Sequence, residues 1–304
     1  MSGQRARKGS SGPRGLRGRS SHPPEYLLRL GLQPRKALGQ NFLIDELALS
    51  SIAEACGLDD NSTVLEIGAG PGGLTDELAS RAGHVVAVEL DEELAVLARG
   101  RLAGAPGVCV IAADILDFTP EELLAECELE PPYIACGNLP YYITQPIVRR
   151  LLEAERPPTR IVVMAQREVA RRIVGGAGRE SLLSMTVRCY GTAEPVLDLP
   201  ATAFWPAPKV QSSVIRIEML PEPQVDRDQL PRLMHLMRAG FTEPRKQLHN
   251  TLRSALDLSR DEAVALLEAG EVDPARRAQH LDLDDWRRLL ATFDDRQPGL
   301  LDAG

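Results

Sequence analysis

The sequence predicts an α/β protein, a parallel sheet wound with helices and followed by a small all-helical C-terminal domain. Three observations predict it. Apolar runs of strand length at Val64–Ile67, His84–Leu90, Val108–Ala112 and Tyr133–Gly137 alternate with stretches of helical periodicity. The first run ends in Gly68, Gly70, Gly72 and Gly73, a turn tight enough to need residues without Cβ, with a helix due at once. Past Leu220 every periodic piece is helical.

Composition divides the 304 residues into three segments. Residues 1–24 carry Arg5, Arg7, Lys8, Arg14, Arg17 and Arg19 and no acidic residue, among Gly, Ser and Pro that cannot build a core. That predicts a disordered basic arm, serving solubility or RNA; as a mitochondrial presequence it has only Leu16 for an apolar face. Residues 25–220 hold the sheet, and 221–304 the helical domain. With 43% hydrophobic and 26% charged residues the chain reads as soluble and globular. No apolar run approaches the roughly 18 residues of a membrane span, and no secretory h-region opens the chain. The net charge of -8 is a sum, and its distribution leaves room for a nucleic-acid partner. Five scattered cysteines without C-x-x-C predict neither a disulfide framework nor a zinc site, and so a reducing cytoplasm.

The elements follow in order. Leu43, Leu47, Ile52 and Ala55 mark a helix that Asp45 caps and Gly57 closes. Helices are expected over Leu74–Ala82 and Asp91–Leu102, then a strand over Arg160–Ala165 and a helix over Gln166–Val174. The trio Arg167, Arg171 and Arg172 on that helix reads as a solvated face. Leu182–Val187 and Val196–Leu199 read as two strands flanking Gly191, and Val214–Ile217 as the last strand. In the C-terminal domain, Ser259 with Glu262 and Asp282 with Asp285 form capping boxes. Gly270 stops the first of those helices, and Trp286, Leu289, Leu290 and Phe293 share a face of the second.

The chemistry starts at the glycine turn. Gly68, Gly70 and Gly73 fit G-x-G-x-x-G, the spacing at which a backbone approaches a nucleotide-like ligand, although plain strand-to-helix corners share it. Glu66 just ahead would repel a pyrophosphate and attract a cation, which favours S-adenosylmethionine, a sulfonium carrying an amine. Glu89, about 20 residues on, is placed to accept from both ribose hydroxyls. Asp114 stands at a strand end where a carboxylate can meet the adenine amine of the cofactor.

Asn138–Thr144, NLPYYIT, is the second informative stretch. A Pro-rich corner with tyrosines packed beneath it is the plain reading. The chemical reading explains more, because an exocyclic adenine amine is a feeble nucleophile whose lone pair is delocalised into the ring. The Asn138 side-chain oxygen and the Pro140 carbonyl can hold its two hydrogens and aim the lone pair at a methyl group. Tyr141 then offers a stacking face to a base pulled from its helix. Phe204 in FWPAPKV is a further stacking candidate, or else a buried corner aromatic.

With these residues in place the chain resembles the rRNA adenine N6,N6-dimethyltransferases of the small ribosomal subunit, the dimethyladenosine transferases. LGQNFL at Leu38–Leu43, LEIGAGPGGLT at Leu65–Thr75, VELD at Val88–Asp91, DIL at Asp114–Leu116, NLPYYIT and FWPAPKV occur in the family's order. The resemblance runs from about Gln33 to the final helices. It implies a Rossmann-like, S-adenosylmethionine-dependent methyltransferase domain with a helical RNA-docking domain. It also implies that Gln40, Asn41 and Leu43 border the methionine end of the cofactor, with Gly68 and Gly70 as its loop, Glu89 on the ribose and Asp114 on the adenine. Asn138 would be the first amine acceptor, and Tyr141 and Phe204 would sandwich the target adenine. Departures at Gln211, Arg179–Ser181 and Thr242–Pro244 touch the RNA-facing rim rather than the cofactor site.

The implied reaction dimethylates two adjacent adenosines in a hairpin of small-subunit (16S) rRNA. The partner is an immature ribosomal subunit, and a monomeric cytoplasmic enzyme without metal or membrane is expected. A large-subunit rRNA methyltransferase conferring antibiotic resistance is the nearer alternative. A non-catalytic assembly or transcription factor on the same fold is the other, against which stand Asn138, Pro140 and Tyr141, since binding alone needs no acceptor pair. A nicotinamide dehydrogenase fits least, given Glu66.

Overall fold

The computed structural model describes residues 31–302 apart from 36–38 and 177, together with Leu27. The basic arm 1–24, Lys36–Leu38 and the last two residues lie outside the described residues. In chain order the sheet domain contributes β1 (Phe42–Leu43), α1 (Glu46–Cys56), β2 (Thr63–Ile67), α2 (Gly73–Ala79), β3 (His84–Glu89), α3 (Glu92–Leu102), β4 (Val108–Ala112) and α4 (Pro120–Ala125). Then come β5 (Ile134–Asn138), α5 (Thr144–Leu152), β6 (Arg160–Gln166), α6 (Arg167–Val174), α7 (Leu182–Tyr190), β7 (Gly191–Leu199), β8 (Phe204–Trp205) and β9 (Ser212–Met219). Four helices follow, α8 (Leu230–Phe241), α9 (Leu248–Ala255), α10 (Arg260–Ala269) and α11 (Leu283–Arg296).

Seven strands form one sheet in the order β4-β3-β2-β5-β6-β9-β7. The first five run parallel; at one edge β9 pairs antiparallel with β6, and β7 pairs antiparallel with β9. Buried on both faces, the central strands send alternate residues to two cores. Leu65, Ile67, Val86, Val88 and Ala135 pack on one side, and Val64, Val85, Ala87 and Cys136 on the other. The strand order reverses between β2 and β5, so their carboxyl ends open the crevice where such sheets bind ligands.

The helices form where their caps direct. Asp45 accepts from Ala48 N, and Gly57 closes α1 at a φ of 62°. The capping boxes at Ser259 and Asp282 start α10 and α11. A third core around Trp286, Phe293, Leu236 and Leu252 holds the C-terminal helices together and reaches into the sheet domain through Met185 and Cys189.

Two expectations are corrected here. Leu182–Val187 is not a strand but the start of α7, opened by a Ser181–Ser184 capping box. Its alternating apolar pattern arises because α7 is wedged between two cores, Leu183 and Val187 facing one and Met185 and Cys189 the other. The cysteines are not all free. Cys109 of β4 and Cys127 beyond α4 form a disulfide across 18 residues of sequence, a pairing that depends on the helix folding back on the edge strand. Cys56, Cys136 and Cys189 are buried thiols. The cysteines therefore do not support a reducing compartment. Among the described residues no helix is long and apolar enough to cross a membrane.

Candidate active site

A cavity opens to solvent at the carboxyl ends of β2, β3, β4 and β5, the edge of such a sheet at which ligands bind. Gln40, Asn41, Gly68, Gly70, Glu89, Asp114 and Asn138 all line it, as do Pro140 and Tyr141. Those from Gly68 onward converge because each parallel strand ends at the same edge of the sheet, and Gln40 and Asn41 come over it from the segment before β1. Leu43 and Phe204 do not reach the cavity.

The glycine turn is held by β3. Gly68 N donates to Val88 O at 2.8 Å, and Gly70 N donates to the Glu89 carboxylate at 2.7 Å. At Gly68 φ is +80°, and a Cβ there would lie 3.2 Å from the Asn138 carbonyl oxygen, so glycine is needed both for the conformation and for room. The other Glu89 oxygen accepts from Asp91 N at 2.9 Å. Burial raises the Glu89 pKa, and these two amide donors oppose the rise. Each carboxylate oxygen keeps lone-pair capacity for a hydroxyl. Asp114 is similar: Oδ1 accepts from Leu116 N at 2.9 Å, and Oδ2 has no hydrogen-bond partner among the described residues.

Glu66 does not form an acidic lip. It shares the β2 face of Val64, is fully buried beneath the turn, and is absent from the cavity wall. Burial pushes its carboxyl up to about 7, helped by repulsion from Glu89 and Asp76 and partly opposed by the neighbouring Thr75 hydroxyl. Among the described residues no hydrogen bond of good geometry reaches either Glu66 oxygen or Thr75 Oγ1.

The segment ahead of α1 closes the cavity from above. Gln40 Nε2 donates to Asp91 Oδ2 at 2.9 Å, its Oε1 accepts from Arg35 N at 2.7 Å, and Arg35 pairs with Asp91 at 3.3 Å. Asn41 Nδ2 donates to Gly39 O at 2.8 Å, and the Asn41 carbonyl accepts from Asn138 Nδ2 at 3.0 Å. That last bond engages the amide nitrogen of Asn138 and leaves its Oδ1 as an acceptor.

Pro140 is a correction. Its carbonyl accepts from Ile143 N at 3.1 Å and from Thr144 Oγ1 at 3.3 Å, so the turn into α5 uses both lone pairs. The carbonyl of Leu139, one residue earlier on the cavity wall, accepts no hydrogen bond among the described residues. Phe204 is the second correction. β8 pairs with β1, Leu43 opposite Phe204 and Phe42 opposite Trp205. Alternate residues of that ribbon face opposite ways, so Phe204 is fully buried in the core while Trp205 lies 6.2 Å from the Phe42 ring. Phe204 offers no face to a base in this conformation. Tyr141 is half-buried, its hydroxyl 2.7 Å from Ser212 Oγ, and burial raises its pKa.

Sequence reasoning passed over Asp91, Leu139 and Tyr142. Asp91 reads only as the first residue of a helix, and nothing in sequence distinguishes the Leu139 carbonyl from that of Pro140. Tyr142 did carry a signal, as a second large aromatic in a loop.

Comparison with known proteins bears on this geometry. A family model described as ribosomal RNA adenine dimethylase matches residues 31–295. A protein of Dehalococcoides mccartyi named ribosomal RNA small subunit methyltransferase A is 41% identical over 262 residues, 86% of this chain and 89% of that one. Its namesake from Geobacter sulfurreducens is 38% identical over 277 residues, 90% and 98% of the two chains. Among solved structures, the 23S rRNA methyltransferase ErmE is 32% identical with a TM-score of 0.66, covering 84% of this chain and all of that one. A dimethyladenosine transferase from Plasmodium falciparum shares the fold, with a TM-score of 0.71 at 22% identity over 84% and 98% of the chains.

Proposed function

Because the chain belongs to the ribosomal RNA adenine dimethylase family, we propose that it dimethylates N6 of adenosine in small-subunit (16S) rRNA, using S-adenosylmethionine, at two adjacent adenosines of a hairpin. The observation that carries the reading is Asn138 Oδ1, which takes no hydrogen bond among the described residues and is oriented by the bond from Asn138 Nδ2 to the Asn41 carbonyl, on the wall of a cavity with unfilled acceptors at Glu89 and Asp114. Those acceptors suit the ribose hydroxyls and adenine amine of the cofactor. When bound, it supplies an electrophilic methyl on a sulfonium.

The chain's own residues then position the amine. Before the first transfer Asn138 Oδ1 accepts one N6 hydrogen and the Leu139 carbonyl, rather than that of Pro140, the other, so the lone pair points at the methyl; the monomethylated nitrogen keeps one hydrogen for one of these acceptors before the second. In each transfer the sulfur–carbon bond breaks, a nitrogen–carbon bond forms, and the nitrogen gives one proton to solvent. Tyr141, braced by Ser212, stacks on the target base.

RNA docking is assigned to the groove between the sheet domain and the C-terminal helices. Arg172, Arg179 and Arg238 line it, are exposed, and have no carboxylate partner among the described residues. Glu180 in the same groove is engaged by Arg188 and Ser184. Arg245 is exposed beyond its rim, and Lys246 pairs with Glu243. The small-subunit reading is favoured over a large-subunit one by the higher identity to the small-subunit enzymes than to ErmE. We place the enzyme in the cytoplasm on the strength of its rRNA substrate and not of its cysteines, as a monomer acting on an immature subunit. Incubation with labelled S-adenosylmethionine and immature small subunits, followed by mapping of the modified nucleotide, tests this; methyl on large-subunit rRNA alone, or on none, overturns it.

A further inference from the structure

The mouth of the active-site cavity is marked by Tyr142. Of the aromatic residues on the cavity wall, Phe42 is buried and Tyr141 half-buried with its hydroxyl tied to Ser212, whereas Tyr142 is 59% exposed. No hydrogen bond holds its hydroxyl among the described residues. The ring borders the closing segment: a methyl group added at Gly39 would lie 3.8 Å from it. A large aromatic left uncovered beside a ligand cavity, with its body fixed by a stiff Pro-containing turn, is a platform without a visible partner.

The chemistry of the site says what covers it. A base can reach Asn138 only if it leaves its stack, and its neighbour in the strand then loses one stacking face. That neighbour remains at the cavity mouth, tethered by a single phosphodiester. Resting on the RNA methylation proposed above, we infer that Tyr142 stacks on the nucleobase adjacent to the target base and replaces the partner that base has lost. Tyr142 is thus a positioning residue: it touches the neighbour rather than the reacting nitrogen. Because every base has a π face, the platform accepts any neighbour, and it holds the strand in register while Tyr141 holds the target.

The test uses the full chain and an RNA hairpin spanning the nucleotide that the wild-type enzyme methylates. 2-Aminopurine is placed at the target, at its 5′ neighbour or at its 3′ neighbour. With wild-type enzyme one neighbour position should stay dim on binding, and with Tyr142→Ala it should brighten as the base is left unstacked. Tyr142→Phe should keep it dim. RNA affinity should fall about tenfold in Tyr142→Ala and be restored in Tyr142→Phe, with S-adenosylmethionine affinity unchanged in both. Equal fluorescence at both neighbours in wild type and Tyr142→Ala overturns the inference, as does a loss of cofactor affinity matching the loss of RNA affinity. Wild-type enzyme that methylates no small-subunit rRNA overturns the functional reading itself, a failure visible before any variant is made.

Discussion

The side-chain amide of Asn138 donates to the main-chain carbonyl of Asn41 at 3.0 Å, across 97 residues of sequence. The closing segment therefore sets the orientation of the group that is to hold the substrate amine. Asn138→Ala deletes the acceptor while leaving Tyr141 and the turn in place. Turnover is expected to fall by on the order of a hundredfold, with RNA and cofactor affinity little changed, because the interaction matters chiefly in the transition state. Single-turnover methylation of pre-bound immature subunits measures this. A near wild-type rate would remove Asn138 from the mechanism.

Glu89 joins the glycine turn to the start of α3 through Gly70 N and Asp91 N. Glu89→Gln keeps the size of the side chain but replaces one acceptor oxygen with a donor, so one amide loses its partner and the ribose its anion. Cofactor affinity is expected to drop by at least about 2 kcal/mol, as for lost charge-assisted hydrogen bonds. Calorimetric titration with S-adenosylmethionine reads it directly, and unchanged affinity in the folded variant would take Glu89 out of the site.

Much of this site is legible in sequence because its signals are local. The glycine turn, Glu89 and Asp114 follow from strand runs ending at one edge, and the helix caps follow from Asp45, Ser259 and Asp282. What escaped depends on distant contacts or on the direction of a single carbonyl. Phe204 is buried because residues 42–43 pair with 204–205, an association that no local pattern announces. The α7 residues look like a strand because two cores press on one helix. Glu66 is turned from the cavity by the period of two along β2, which sequence does contain once the strand boundaries are known. Leu139 replaces Pro140 because the α5 turn consumes the proline's carbonyl.

The burial of Glu66 makes stability depend on pH. Its carboxyl ionises at about 7 in the fold against an ordinary value of 4.5. The protonated form is favoured by folding, so the contribution is fully present below about pH 4.5 and is lost as pH rises through about 7. The loss for the wild type between about pH 5 and pH 8 is on the order of 2 to 3 kcal/mol. Glu89, shifted in the same direction, adds a slope of the same sign. Glu66→Gln should flatten the dependence without abolishing it. Denaturant midpoints at the two pH values make the comparison, and identical slopes in the two proteins would mean that Glu66 ionises normally.

The groove arginines give a prediction in salt. Arg172, Arg179 and Arg238 come from α6, from the segment before α7 and from α8, and only the packing of the C-terminal helices on the sheet domain brings them together. All three are exposed and lack a carboxylate partner among the described residues, so their charge is available to phosphates. Each phosphate neutralised releases condensed counterions, contributing about 0.7 to 0.9 to the slope of log affinity against log salt. Replacing all three with Gln is expected to make that slope shallower by about 2 and to weaken RNA binding most at low salt. Cofactor affinity should stay unchanged, since none of the three touches the cavity, and stability should move by no more than about 0.5 kcal/mol per substitution, as for other surface positions. Binding isotherms for the hairpin RNA across a salt series measure it. A slope identical to that of the wild type would return the three arginines to the solvated surface and move RNA docking to another face.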